Sequence, residues 1–490
     1  MQPEDQLIKQ RIEKLEAIKK LGINPYPYSY DKTHNSIEVL EENKKLKVEE
    51  RSKKIVKIAG RIMTFRLMGK ACFGHIQDQS GKIQFYIRED ENEEDYKLVK
   101  LLDLGDIIGI EGIVFRTKTN EITVRIKKLT LLSKSLRPLP EKWHGLKDPE
   151  LRYRQRYVDL IVNPDVKETF IKRTRIIEAI KEFMNSKGYL EVKTPVLQPI
   201  YGGANARPFT SHLNALNTMV YLRISDELYL KRLIVGGYER VYEISEDFRN
   251  EGIDRTHNPE FTMMESYQAY ADYNDIMSLV EDIYLFVAKK VFNSTKIKYQ
   301  DKELDFKKPW QRLTMIDSIK KYANIDVNKL SDEDLQDELK SNKIAFEEDS
   351  SRGILIQHLF EELVESHLIQ PVFIIDHPKE TTPLCKEKRG NPALIERFEP
   401  FINGWEMGNA YSELNNALIQ RKLLEEQASQ LKKGNEEANP MDEDFVRSLE
   451  IGMPPTGGLG LGIDRMVMLF TNSQSIRDVI FFPFMRPEND

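Results

Sequence analysis

Cysteine is nearly absent: only Cys72 and Cys385 occur among 490 residues, so no disulfide framework is expected and a reducing cytosol suits the composition. Also missing is any apolar run near the roughly 18 residues that read as a membrane span. The stretch from Gln2 to Lys20 is highly charged and lacks the apolar segment of a secretory signal. There is no excess of positive charge either, the formal net charge being −6. That total does not announce a polyanion partner, nor does it exclude one, because such binding depends on local patches.

What is present suits two or three domains with substantial cores: 40% of residues are hydrophobic and 31% charged. Residues 1–60 hold 13 Lys and Arg against 10 Asp and Glu, a mild reversal of the overall sign. Within residues 5–20, Ile8, Ile12, Leu15 and Ile18 fall at helical spacing, and Lys9, Arg11, Lys14, Lys19 and Lys20 lie mostly around the rest of the helix. A solvated docking helix is the first expectation for this segment, and an arm touching phosphates the second.

From Lys54 to Leu131 the pattern changes to short strands, expected at 54–65, 71–77, 82–88, 106–116 and 121–131. An amphipathic helix near 93–103 falls between the third and fourth. Five strands with a helix in that slot resemble an OB-fold barrel. Alternation turns Ile83, Phe85 and Ile87 inward and Gln84, Tyr86 and Arg88 outward. Arg61, Phe65, Phe73 and His75 are expected to share that outward face, which offers rings for stacking and amides for reading base edges. An ordinary barrel surface with a few exposed aromatics is the competing reading.

A proline-bearing connector, residues 136–164, precedes the rest of the chain. Asn163-Pro164-Asp165 starts a helix with Val166, Phe170, Ile177, Ile180 and Met184 along one stripe, closed by Gly188 and followed by the strand 189–192 and Pro195. Between 239 and 270 the periodicity is that of a hairpin. Arg249 and Glu251 share one parity on the first strand, and Phe261, Met263, Glu265 and Tyr267 share one on the second. Such charges must be paired or meet a ligand, because burying them alone is costly. Near the C-terminus, Gly457-Gly458-Leu459-Gly460-Leu461-Gly462-Ile463-Asp464-Arg465 leads into an apolar helix. This run has neither the dinucleotide-fold spacing nor the P-loop ending.

In this order the three segments resemble the signature motifs of class II aminoacyl-tRNA synthetases, and the barrel before them points to the lysine, aspartate and asparagine subgroup. Gly202-Gly203-Ala204-Asn205-Ala206-Arg207-Pro208-Phe209, Ser225-Asp226-Glu227-Leu228-Tyr229 and Glu265-Ser266-Tyr267 are similar to those of lysyl-tRNA synthetases. Carboxylates suit lysine's ammonium, whereas an aspartate site needs cationic donors. The chain departs from the family pattern at the more acidic Ser245-Glu246-Asp247 and at Asn416, where Asp is common.

The resemblance implies an α+β fold: an N-terminal helical segment over 1–50, a five-stranded OB-fold anticodon-binding barrel over 51–135, and a mostly antiparallel catalytic domain flanked by helices over 165–490. An acidic surface insertion is expected near 327–352, and a homodimer built through the first motif. Lysine would be contacted by Gly203, Glu227, Glu265, Tyr267 and Asn415. Arg249, His257 and Arg465 would be catalytic. Together with Asn250, Glu251, Asn258, Phe261, Glu413, Leu414, Gly462, Ile463 and Asp464, they would bind ATP. Glu406 and Glu413 would hold Mg²⁺. Seven residues apart, those two fall on opposite faces of a regular strand, so a bulge near Gly408 is required. Arg61, Phe73, His75 and Gln84 would meet the anticodon of the lysine tRNA. Two other readings remain. A non-enzymatic tRNA-binding relative would have eroded Arg249, Glu251, Glu413 or Arg465, and none is eroded. An enzyme lysylating a protein lysine would have little use for the barrel.

Overall fold

Alternation in the N-terminal third does produce a closed barrel, in the order β1 (Arg51–Met68), β2 (Ala71–Gln77), β3 (Lys82–Arg88), β5 (Ile122–Ser133), β4 (Ile107–Arg116). The structure, a computed structural model, describes residues 3–140, 146–434 and 438–488. Residues 1–2 of the expected N-terminal segment and 141–145 of the expected connector lie outside the described residues, as do 489–490. Two units are delimited, Met1–Gly145 and Leu146–Asp490.

In the first unit, Ile76, Ile83, Phe85, Ile87, Ile108, Ile110 and Val124 fill the barrel, and Ile18 of the helix Pro3–Lys20 joins them. That helix is therefore docked. Arg11 donates to the Ser135 and Arg137 carbonyls, each at 3.0 Å, and Lys14 bonds Asp103 at 2.6 Å. The helix between β3 and β4 spans Glu93–Val99 and is capped by Asn92.

In the second unit, a mixed sheet runs in the order Gln311–Thr314, Val372–Pro378, Asn391–Ile402, Gly408–Ser412, Thr456–Gly462, Glu260–Ala269, Arg240–Phe248, Leu190–Glu191. Only the two outermost pairings are parallel. The helices Pro164–Ser186, Tyr273–Phe292 and Ile463–Thr471 supply Ile180, Met184, Ile276, Val280, Met466 and Val467 to the core they share with Tyr242, Met264 and Leu461 of the sheet. Two short helices, Pro149–Arg154 and Arg156–Val162, occupy the connector. Arg156 is fully buried and donates to the carbonyls of Arg477 and Phe481, tying this segment to the C-terminal tail. Residues 327–352 include the helix Asp332–Ser341, whose Leu335 and Leu339 are buried against Leu355 and Leu359.

Candidate active site

A cavity of about 420 Å³ opens on the face of the central strands. The strand Glu260–Ala269 lines it with Phe261, Met263, Glu265 and Tyr267, and the strand Arg240–Phe248 pairs alongside in a register that sets Glu243 opposite Glu265 and Asp247 opposite Phe261. Arg249 and Glu251 lie beyond the end of the first strand, in the loop, yet both line the cavity.

At one end, two buried carboxylates stand among hydroxyls. Ser225 Oγ donates to Glu265 Oε1 at 2.7 Å, and the Tyr267 hydroxyl donates to Glu265 Oε2 at 3.1 Å. Glu227, on the helix Glu227–Val235, accepts at Oε1 from the Tyr411 hydroxyl at 2.7 Å and from Lys231 at 2.6 Å. Gly203 closes this end at φ +92°, a conformation glycine adopts without strain. A Cβ there would sit 2.9 Å from Ser225 Oγ.

Behind Glu265 lies a denser acidic cluster. Arg223 meets Glu243 at 2.9 Å, Asp226 at 3.0 Å and Asp247 at 3.5 Å, so one guanidinium serves three carboxylates. Neither oxygen of Asp247 has a hydrogen-bond partner among the described residues. Burial, and next the charge on Asp226, pushes the Asp247 carboxyl up to about 8. Burial, and next Glu243, pushes Asp226 up to about 6. Glu265 is pushed well above the usual carboxylate range, by burial first and then by Asp226, Asp247 and Glu227.

The opposite end is cationic and aromatic. The Arg249 guanidinium lies 5.1 Å from the Phe261 ring centroid. Arg465, at the start of the helix Ile463–Thr471, donates to the Glu406 carbonyl at 2.6 Å and approaches His257 Nε2 at 3.3 Å. The glycine run forms the strand Thr456–Gly462, and a side chain at Gly458 would overlap the Glu413 carboxylate and the Tyr267 ring.

The strand carrying Glu406 and Glu413 is interrupted as alternation requires. Phe401 pairs with Glu406 and Phe398 with Ala410, so five residues, 406–410, oppose four, 398–401. Met407 still donates to the Pro400 carbonyl at 2.8 Å, and the register has changed by Ala410, so the irregularity falls around Gly408. Both carboxylates thereby face one cavity. Among the described residues no cluster of three or more His, Cys, Asp or Glu could hold a metal. Two carboxylates beside an empty volume fit Mg²⁺, which is commonly held by one or two carboxylates plus substrate phosphates.

Four of the expected contacts do not line the cavity. Asn415 donates to the Met453 carbonyl at 2.9 Å, which turns its amide toward the 450s loop. The Asn250 backbone is bonded to Arg207, Leu414 is buried with its N–H on Leu384, and Ile463 is fully buried in the core. Asp464 does line the cavity, but its carboxylate pairs with Arg173 and accepts the Thr262 N–H at 2.7 Å. Conversely, Ser225, Lys231 and Tyr411, to which the sequence assigns no role, hold the two carboxylates of the acidic end. Only the four-residue spacing of Glu227 and Lys231 on one helix could have signalled the pair.

The barrel presents its own groove, of about 920 Å³, lined by Phe73, His75, Gln84, Tyr86, Phe115 and Arg125 among others. Phe73 and Tyr86 have ring centroids 4.5 Å apart. Gln84 and His75 both reach Glu121, each at 2.7 Å, and Thr123 donates to Gln84 Oε1. Two expectations are corrected. Arg61 donates to the Gly105 carbonyl at 2.7 Å and does not line the groove, and Phe65 packs against the barrel core. For Phe65 the cause is a register shift between Ile62 and Thr64, which reverses the parity of β1 beyond it and puts Thr64, Arg66 and Met68 in the groove instead.

Comparison with known proteins agrees with this geometry. Residues 148–486 match the family model of class II tRNA synthetases for D, K and N, and residues 56–132 match the OB-fold nucleic acid binding domain. The chain belongs to the class II tRNA synthetases of the aspartate, lysine and asparagine group. Its relatives narrow the group to one member. A lysine–tRNA ligase of Clostridium novyi is 53% identical, across 98% of this chain and 94% of its own. One from Thermoanaerobacter pseudethanolicus is 52% identical over 99% and 97%, and one from Clostridium botulinum 51% over 99% and 96%.

Proposed function

We propose that this chain works as a lysine–tRNA ligase through the cavity described above, with lysine at its acidic end and ATP at its cationic end. The observation that carries this arrangement is the pair of buried carboxylates, Glu227 and Glu265, each already gripped by hydroxyl groups. A buried carboxylate needs donors or an opposite charge; Lys231 supplies one for Glu227, and the two ammonium groups of a bound lysine would complete the partners of the pair.

In the first step a lysine carboxylate oxygen bonds to the α-phosphorus of ATP, and pyrophosphate leaves with the electron pair of the broken P–O bond. In the second, the 3′-terminal hydroxyl oxygen of the tRNA bonds to the lysyl carbonyl carbon, and AMP leaves. Catalysis rests on positioning and charge stabilisation. Arg249 would leave its rest position over Phe261 to bind the α-phosphate and the lysine carboxylate as charge builds. Phe261 and Arg465 would enclose the adenine, Glu251 would accept from its amine, and His257 would reach the terminal phosphates. Glu406 and Glu413 would hold Mg²⁺, which neutralises phosphate charge when bound.

The barrel groove would take the anticodon of the lysine tRNA. The chain would act as a homodimer through the surface around Leu190, Val196, Leu197 and Met219, all of them exposed apolar side chains. Sedimentation of the purified protein tests that arrangement. No described helix is long and apolar enough to cross a membrane; the cytosol is the proposed compartment. Pyrophosphate exchange run across all twenty amino acids tests the substrate, and exchange supported by lysine far above the other nineteen is expected. Equal exchange with aspartate or asparagine would overturn the assignment.

A further inference from the structure

Lys231 touches no substrate in the reading above, yet it lies at the centre of the acidic end. Its side chain is fully buried on the helix Glu227–Val235, one turn after Glu227. The ammonium bonds Glu227 Oε1 at 2.6 Å and pairs with Glu413 Oε2. It also lies 5.6 Å from the Tyr411 ring centroid and 6.0 Å from that of Phe445.

Stability alone gives little reason for this arrangement. Replacing a buried ion network by apolar groups of similar volume is often neutral or stabilising. Position gives a better one. Lys231 and the Tyr411 hydroxyl both occupy Glu227 Oε1, which leaves Oε2 for a ligand. Glu413 Oε2 makes no hydrogen bond among the described residues beyond this ion pair, so Lys231 is what orients that carboxylate. Glu227 and Glu413 are 186 residues apart in sequence and belong to different elements, and a single ammonium joins them.

We infer that Lys231 is a positioning residue that fixes Glu227 for the substrate lysine and Glu413 for the metal–nucleotide side. The inference rests on the roles proposed above for those two glutamates. Free of its ammonium, each carboxylate would turn away from the geometry its ligand needs, and the two would repel one another.

The test uses the full-length enzyme and reads binding directly. Lysine is titrated calorimetrically without nucleotide, and Mg²⁺ is titrated in the presence of a non-hydrolysable ATP analogue. Lys231→Met and the more polar Lys231→Gln are compared with wild type, with folding checked by thermal unfolding. A rise in the lysine dissociation constant of about tenfold or more, together with at least a threefold rise in the Mg²⁺ midpoint, is expected in both. Glu227→Gln and Glu413→Gln serve as references for the two sides. If they shift their own constants while the folded Lys231 variants shift neither or only one, the inference falls and the reading of the site stands. If the glutamate variants themselves shift nothing, that reading fails and takes the inference with it. Failure of both Lys231 variants to fold would make Lys231 a folding element and would also overturn it.

Discussion

Tyr267 and Glu265 stand two residues apart on one strand, and the tyrosine hydroxyl reaches back to Glu265 Oε2 across 3.1 Å. With Ser225 on the other oxygen, the carboxylate is held in place before a substrate arrives. An incoming ammonium would meet an oriented acceptor and lose little in reorganising it. Glu265→Gln keeps the shape and removes the charge. Because a hydrogen bond to a charged group contributes about 1.5–3 kcal/mol, the lysine Michaelis constant should rise roughly ten- to a hundredfold while that for ATP changes little. Steady-state pyrophosphate exchange measures both, and equal damage to the two would place Glu265 outside the lysine site.

Arg249 rests over the Phe261 ring, and its Nε is 3.4 Å from the Ile224 carbonyl, a weak hold for a guanidinium. Such a side chain is free to move onto developing negative charge. Arg249→Lys keeps the charge but loses the two-pronged geometry. Single-turnover adenylation should fall by more than tenfold, with the thermal midpoint unchanged. Retention of more than half the wild-type rate would remove Arg249 from the transition state.

Much of this was legible from residue spacing, and the failures have local causes. The strands 71–77 and 82–88 follow from alternation that nothing interrupts. Phe65 turns inward because one register shift between Ile62 and Thr64 reverses every residue beyond it, whereas Arg61 lies before the shift and is drawn aside by the Gly105 carbonyl. The same device helped around Gly408, where the extra residue is what lets Glu406 and Glu413 share a face. Asn415 and Asp464 have the right chemistry for a site. Their partners, Met453 in one case and Arg173 in the other, are distant in sequence and could not be read from it. Lys231 shows the same limit: its spacing from Glu227 is local, and its meaning comes from Glu413.

The Asp247 carboxyl, pushed up to about 8, makes folding stability depend on pH. In the unfolded chain an aspartate titrates near about 3.9. Between those values the native state keeps a proton that the unfolded chain has released, so this group's contribution to stability declines as pH rises through that window. Asp247→Asn removes the titration and leaves an amide able to donate to the surrounding carboxylates. The variant should gain over wild type more at pH 8 than at pH 5, by roughly 2 °C or more in the unfolding midpoint. Scanning calorimetry at the two pH values measures it, and a gain that does not grow with pH would mean that Asp247 is ionised in the folded protein.

Phe73 carries the last prediction, in the barrel. Its ring sits in the groove beside Tyr86, and the neighbouring Gln84 amide is oriented by Glu121 and Thr123. A base stacked on Phe73 would bring its edge toward that amide, which offers one donor and one acceptor to a uracil. Stacking on an aromatic side chain contributes about 1–3 kcal/mol per base. Phe73→Ala should therefore raise the tRNA Michaelis constant, or lower the efficiency of aminoacylation, by roughly ten- to a hundredfold. Lysine-dependent pyrophosphate exchange without tRNA should be untouched, because the cavity that supports it is built entirely from residues of the second unit. Unchanged charging of tRNA would reduce Phe73 to an ordinary surface aromatic. Equal loss of both activities would show that the substitution had damaged the fold instead of the anticodon contact.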